Sequence, residues 1–185
     1  MTLSLSLGLL LLRLVCGLTL AAHGAQKLFG WFGGPGIAKQ IAGFERDGLH
    51  PAIFWAALVV LGELGGGLSL AVGLLTPLGA AGIFAAMLMA ILKVHWKNGF
   101  WNGKRGIEFP LSLLAGASAL GLTGPGTIAL DTLFRLQLFS PWLFLILAVA
   151  GVLIDILGLR LIRASAAPAS VPAEPASAPP PAPAS

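Results

Sequence analysis

Apolar residues form five long runs along the chain, separated by short segments rich in glycine, proline or charge. A helix needs roughly 20 apolar residues to cross the hydrocarbon core of a bilayer. The runs predict helices over residues 3–29, 51–75, 78–97, 107–122 and 142–162. We therefore predict an all-α, polytopic membrane protein with a four-helix transmembrane bundle core and a fifth, C-terminal helix.

Two further segments have other patterns. Residues 37–48 place apolar side chains on one face of a helix and charged ones on the other, which predicts a helix lying on the membrane surface or over the mouth of the bundle. After residue 163 the chain is almost wholly Ala, Pro and Ser, a composition that cannot bury a core. We predict a transmembrane bundle over residues 1–132, an additional transmembrane helix over 133–163 and a disordered tail over 164–185.

Composition supports a membrane protein and excludes a soluble domain. Hydrophobic residues make up 57% of the chain and charged residues only 10%. The net charge of +4 is then a matter of membrane topology, so the predicted partner is the lipid bilayer and not nucleic acid. The single cysteine, Cys16, cannot form an intrachain disulfide.

Lysine and arginine positions predict the orientation. If the five helices alternate in direction, Arg135 lies clearly on one side of the membrane and nine other basic residues lie on the opposite side, which should be cytoplasmic. These nine are Lys27, Lys39, Arg46, Lys93, Lys97, Lys104, Arg105, Arg160 and Arg163. We predict a multi-pass protein of a bacterial-type plasma (inner) membrane, with the N-terminus outside and the C-terminal tail in the cytoplasm.

The first predicted helix carries charge inside its apolar run. Arg13, Gly17, Leu20, Gly24 and Lys27 fall on one stripe at about 100° per residue, with His23 at its margin. Arg13 interrupts the apolar core and no basic segment precedes it, which favours a retained helix over a cleaved signal peptide.

A carboxylate in the second helix is the expected partner of this charge. Glu63 is flanked by glycines, and counting residues from the helix ends places it at a depth similar to that of Arg13. We predict that Arg13 and Glu63 form a pair. Such a pair can serve a functional site or act only as a clamp between helices, and both interpretations stay open.

A second polar group is expected near the cytoplasmic face. His23, Glu63, His95 and Glu108 come from four different helices, and they are predicted to bound an inter-helix cavity that binds a small ligand or handles protons. With Arg13 and Lys27 they form the set of candidate site residues. No spacing of ligands supports a metal site, and we predict none. The other basic residues near this face are interpreted as topology charges.

Several motifs are similar to those of one membrane protein family. They are the stretch from Leu12 to Gly34, Gly62-Glu63-Leu64-Gly65-Gly66-Gly67, Gly73-Leu74-Leu75-Thr76-Pro77, His95-Trp96-Lys97-Asn98-Gly99-Phe100-Trp101, Glu108-Phe109-Pro110, and Gly124-Pro125-Gly126 ahead of Asp131. Together they resemble the DoxX family over residues 5–132. The resemblance implies a four-helix membrane bundle. It also implies a link to redox chemistry, since namesakes of the family are linked to a thiosulfate:quinone oxidoreductase.

Two functions follow as alternatives. The first is an integral membrane component of a redox system, a quinone-linked oxidoreductase subunit that works with a partner redox subunit. The chain contains no flavin, haem or iron–sulfur motif, so a quinone is the one cofactor we expect. The second is a non-enzymatic membrane protein for binding, transport or assembly. The sequence leaves open whether the chain is an enzyme.

Overall fold

The computed structural model describes residues 2–136 and 140–166, and within these ranges it is helical without a strand. The helices are α1 (Leu3–Phe29), α2 (Gly36–Arg46), α3 (Ala52–Val72), α4 (Thr76–Asn98), α5 (Glu108–Thr123), α6 (Leu130–Leu133) and α7 (Pro141–Ala166). Two of them contain a π-helical turn, Leu61–Gly65 in α3 and Ile91–His95 in α4.

Four of these helices, α1, α3, α4 and α7, are long and apolar enough to cross a membrane. Their outward faces expose large apolar side chains, such as Leu11, Ile146 and Leu153, which are each more than half exposed and contact lipid in a bilayer. The protein is therefore a polytopic helical membrane protein, as predicted. Helix α5 has 16 residues, or about 24 Å at the rise of an α-helix, and is the shortest of the five long apolar helices.

Contacts along the helices show that the bundle has two ends. Ser6 in α1 contacts Thr127 after α5, while His23 packs against Phe109 at the start of α5, so α1 and α5 are antiparallel. Ser165 near the end of α7 donates a hydrogen bond to Gly48 O, at the end where α1 also finishes. We call the end that holds the N-terminus of α1 the Arg13 end and the opposite one the Lys27 end.

Glycines bring the helix backbones together. A methyl group added at Gly17 would lie 2.6 Å from Gly67 O and from Ala71 N, so α1 and α3 touch through their main chains. On its other side, α3 approaches α4 through Gly62 and Gly66. Small residues allow this close packing where hydrophobic burial does not drive helix association. The glycines of α3 therefore fix how α1, α3 and α4 align along their lengths.

Helix ends differ slightly from the predicted ones. Helix α3 ends at Val72 because Gly73 adopts a left-handed conformation with φ of 69°, and Thr76 and Pro77 form the first turn of α4 instead of a turn before it. Helix α7 continues to Ala166, so the first three residues of the predicted tail are helical. Residues 167–185 lie outside the described residues.

Candidate functional site: an ion pair and a polar cavity at the Lys27 end

An ion pair joins α1 to α3 near the Lys27 end. Lys27 Nζ donates to Glu63 Oε1. The Glu63 side chain is 3% exposed, whereas that of Lys27, two residues before the end of α1, is 26% exposed. The second carboxylate oxygen, Oε2, is buried and receives no hydrogen bond from the described residues. An intramembrane carboxylate with a free oxygen is costly, and such groups usually mark a site of function.

Local structure places Glu63 there. Gly24 lies against Leu64, where an added methyl group would come within 2.7 Å of Leu64 Cα, so the two backbones meet one turn before Lys27. Glu63 itself lies in the π-helical turn Leu61–Gly65. Such turns widen a helix by one residue and often occur at functional sites.

The predicted pairing of Arg13 with Glu63 is wrong. The prediction counts depth from Lys27 near the end of the first helix and from Pro51 at the start of the second, and it treats these two residues as level. In the structure α1 packs mainly on the part of α3 from Leu61 onward. Trp55 in the first turns of α3 belongs to a second buried cluster with Phe44 of α2. Glu63 is therefore level with Lys27, and Arg13 lies near Gly73, at the other end of the contact.

Arg13 belongs to the Arg13 end. It is 1% exposed, donates to Ile128 O through Nη2 and packs on Gly73, which leaves room for the guanidinium because it has no side chain. Asp131 is the carboxylate whose charge acts on Arg13. Its oxygens accept hydrogen bonds from Leu75 N at 2.8 Å, Thr76 N at 3.0 Å and Thr76 Oγ1 at 2.8 Å. Asp131 thus caps the first turn of α4, a role that sequence reasoning missed.

A second ion pair lies beside the first. Lys93 Nζ in α4 donates to Asp47 Oδ2 just after α2, and the same ammonium lies 5.0 Å from the ring centroid of Phe44. The sequence predicts only a topology charge for Lys93 and indicates no role for Asp47. The pair connects α2 to α4 and could not be recognised from a helical pattern, because its two residues are 46 positions apart.

The two ion pairs line one polar cavity of about 350 Å³ between α1, α2, α3 and α4. Four cationic side chains and two acidic ones face it, so its charge is net positive. Phe44, Val59 and Met89 lie where it adjoins a larger, apolar cavity. The charged lining residues are Lys27, Lys39, Arg46, Asp47, Glu63 and Lys93.

The other predicted site residues do not face these two cavities. His23 packs edge-on against Phe109 and bonds through Nδ1 to Gln26 Oε1 at 3.1 Å. His95 Nδ1 lies 2.6 Å from Arg105 O, and Glu108 accepts a hydrogen bond from Asn102 N at 2.8 Å. His95 and Glu108 therefore order the loop between α4 and α5. The structure does not bring His23, Glu63, His95 and Glu108 together around one of the two cavities, which corrects that part of the prediction.

The apolar cavity has a volume of about 630 Å³ and lies between α3, α4 and α7. Its lining contains few polar groups, and one of them is the carboxyl group of Asp155 in α7, which is 6% exposed. Sequence reasoning missed Asp155. The signal was present, however, because it is an acidic residue in the middle of a predicted membrane span.

Neither ion pair has the surroundings of a metal site. The described residues contain no group of three or more His, Cys, Asp or Glu side chains that could hold a metal ion. The chemistry available in the polar cavity is that of ammonium and guanidinium donors, the buried carboxylate of Glu63 and the more exposed carboxylate of Asp47.

Comparison with known proteins adds the family. The DoxX family model matches residues 8–96, which span α1 to α4 and contain the Lys27–Glu63 and Lys93–Asp47 pairs. No curated protein and no solved structure matches the chain. With four membrane-competent helices and this match, the protein is a polytopic membrane protein that contains a DoxX family domain over residues 8–96.

Proposed function

We propose that this protein is an integral membrane component of a redox system and binds a quinone-like molecule in the polar cavity at the Lys27 end. One observation carries the proposal: Glu63 lines the polar cavity from a membrane helix and pairs with Lys27 through one oxygen, while its other oxygen is buried and receives no hydrogen bond from the described residues. A structural clamp would not require a carboxylate oxygen without a donor.

The cavity's own groups match both forms of a quinone head group. The ammonium groups of Lys27 and Lys93 can donate to a quinone carbonyl, and the Glu63 carboxylate can accept from a quinol hydroxyl. The ring would lie among the charged residues, and the apolar chain of the quinone would extend past Phe44, Val59 and Met89 into the apolar cavity. When bound, a quinone supplies the electron-accepting chemistry that the side chains lack. A partner redox subunit would deliver or remove the electrons.

A non-enzymatic role in membrane binding, transport or assembly is the second candidate. It is favoured by the fact that both ion pairs connect different helices, Lys27 with Glu63 across α1 and α3, and Lys93 with Asp47 across α2 and α4. In that case the pairs hold the bundle together, and the cavity is a consequence of their spacing.

Quinone binding to the purified chain in lipid nanodiscs distinguishes the two candidates. A decyl-benzoquinone should bind saturably, and Glu63→Gln should weaken it by about tenfold or more, since a charge-assisted hydrogen bond is lost. Lys97→Gln is the matched control, because it removes an exposed charge at the same end that lines neither cavity. No saturable binding and no quinone co-purifying by mass spectrometry, with a stable partner protein recovered, would support the second candidate.

The proposal includes an orientation in a bacterial-type plasma membrane, with the Lys27 end in the cytoplasm and the N-terminus outside. It is supported by the contact of Ser165 with Gly48, which places the end of α7 beside the basic segments at the Lys27 end. Protease added to inside-out vesicles should remove the C-terminal tail. A protected tail would contradict this orientation.

A further inference from the structure

Asp155 is a buried acid within a membrane helix. It lies in the middle of α7, outside the residues matched by the family model, and its Oδ2 atom is buried without a hydrogen-bond donor among the described residues. A charge so placed is expensive unless something pairs with it.

Asp155 Oδ2 has no partner among the described residues. The other side chains with polar groups that line the apolar cavity are those of Ser69, Lys93 and Trp55. Ser69 Oγ already donates to Leu74 O at 2.5 Å, and Lys93 pairs with Asp47. Asp155 therefore lines an apolar space of about 630 Å³ without an ion-pair partner among the described residues.

The space suits a small molecule. Its volume falls in the range of about 300–1,000 Å³ that small-molecule sites occupy, and such sites combine apolar walls with a few polar groups that fix orientation. Trp55 is 7% exposed and lines the same cavity. The Trp55 ring lies close to Gly158, three positions after Asp155 in α7. An indole in the same cavity as a carboxylate favours a cation, because the ring face attracts positive charge.

We propose that the apolar cavity between α3, α4 and α7 binds a hydrophobic tertiary amine whose protonated nitrogen donates its hydrogen bond to Asp155. A tertiary ammonium has one N–H group, and one carboxylate satisfies it. A primary ammonium brings three N–H groups, of which this apolar lining would leave at least one without an acceptor. An inorganic cation needs several oxygen ligands, and a single carboxylate does not supply them.

This inference does not rest on the quinone proposal. Lys27 and Glu63 line the polar cavity and not the apolar one. Glu63→Gln should therefore weaken quinone binding and leave amine binding unchanged, so either proposal can fail without the other.

The test is equilibrium dialysis of N,N-dimethyldecylamine against the full chain in nanodiscs, with empty nanodiscs subtracted for partition into lipid. The amine should bind saturably. Asp155→Asn should lower the affinity for the amine by at least about tenfold, since one partner of a buried charge pair is removed. Glu45→Gln is the matched control, because Glu45 is an exposed acid that lines neither cavity. It should leave the affinity unchanged.

Two ligand controls and one further variant complete the test. Decyltrimethylammonium has the charge without an N–H group, and decanol has the chain without the charge, so both should bind at least about tenfold more weakly than the amine. Ala150 is exposed on α7 and lines the cavity, so Ala150→Leu narrows the cavity and should also weaken binding of the amine. This variant keeps the test informative if Asp155→Asn fails to fold. The proposal is overturned if decanol or decyltrimethylammonium binds as tightly as the amine. It is also overturned if either variant binds the amine with unchanged affinity.

Discussion

Buried acidic side chains occur at both ends of the bundle, but their hydrogen bonding differs. At the Arg13 end, Asp131 receives three hydrogen bonds from the first turn of α4. At the Lys27 end, Glu63 receives one from Lys27 and keeps a buried oxygen unbonded. Both carboxylates are 3% exposed, so burial alone does not distinguish them.

The difference indicates that Asp131 stabilises the fold and that Glu63 is available for binding. A carboxylate whose acceptor sites are used within the protein stabilises the fold, and it has little left to offer a ligand. A carboxylate that lines a cavity and has acceptor sites left unused stabilises the fold less, but it can bind a donor from outside. The comparison predicts that changes at the Arg13 end alter stability and that changes at the Lys27 end alter binding.

The largest effect on stability is expected for Asp131→Ala. It leaves Leu75 N, Thr76 N and Thr76 Oγ1 without their acceptor and removes the charge that offsets Arg13, which should lower the free energy of unfolding by about 3–5 kcal/mol. Denaturant titration in mixed micelles measures it. Asp131→Asn keeps one acceptor oxygen and should lose less. A fully stable Asp131→Ala protein, or one that folds but has lost quinone affinity, would remove the distinction between the two ends.

The next effect is a coupling energy between Lys27 and Glu63. A double-mutant cycle with Lys27→Met and Glu63→Gln should give about 1–3 kcal/mol, because the two groups are in direct contact. The same cycle with Arg13→Met in place of Lys27→Met should give no coupling beyond about 0.5 kcal/mol, the limit for distant sites. If Arg13 and Glu63 coupled more strongly than Lys27 and Glu63, the register of α1 against α3 would be wrong.

Close packing between the ends is tested by two glycines of α3. A methyl group at Gly67 would lie 2.6 Å from Gly17 O, so Gly67→Ala should push α1 and α3 apart and cost about 1–3 kcal/mol. Gly65→Ala is the control, because an added methyl group there meets nothing within 4 Å. Thermal unfolding of both variants in the same detergent measures the difference. Equal melting temperatures would show that the glycine contact does not set the spacing of the helices.

The smallest effect is expected for Lys93→Met. Its partner Asp47 is 39% exposed, and ion pairs that water can reach contribute about 0.2–1 kcal/mol. The variant should therefore change unfolding little, yet it should weaken quinone binding, since Lys93 faces the polar cavity. A large loss of stability with unchanged quinone affinity would make the Lys93–Asp47 pair a clamp.

Much of the architecture followed from the sequence alone. Runs of apolar residues predicted the five long helices to within a few residues at most ends, because in a bilayer every backbone polar group of a spanning segment must be satisfied within the helix. The amphipathic segment beginning at Ile37 became α2. The motifs around His23, Glu63 and His95 were enough to indicate the family, which the match over residues 8–96 confirms.

The partners of the buried charges were decided only by the tertiary structure. Counting depth from the helix ends predicted that Glu63 pairs with Arg13. In the structure Gly17 contacts Gly67 and Gly24 contacts Leu64, and this alignment of α3 with α1 places Glu63 next to Lys27. A helical pattern shows which residues share a face, but it contains no information on how far one helix is shifted against another. That shift depends on backbone contacts across the interface. It separated Arg13 from Glu63 and left Glu63 lining the polar cavity with one oxygen that receives no hydrogen bond from the described residues.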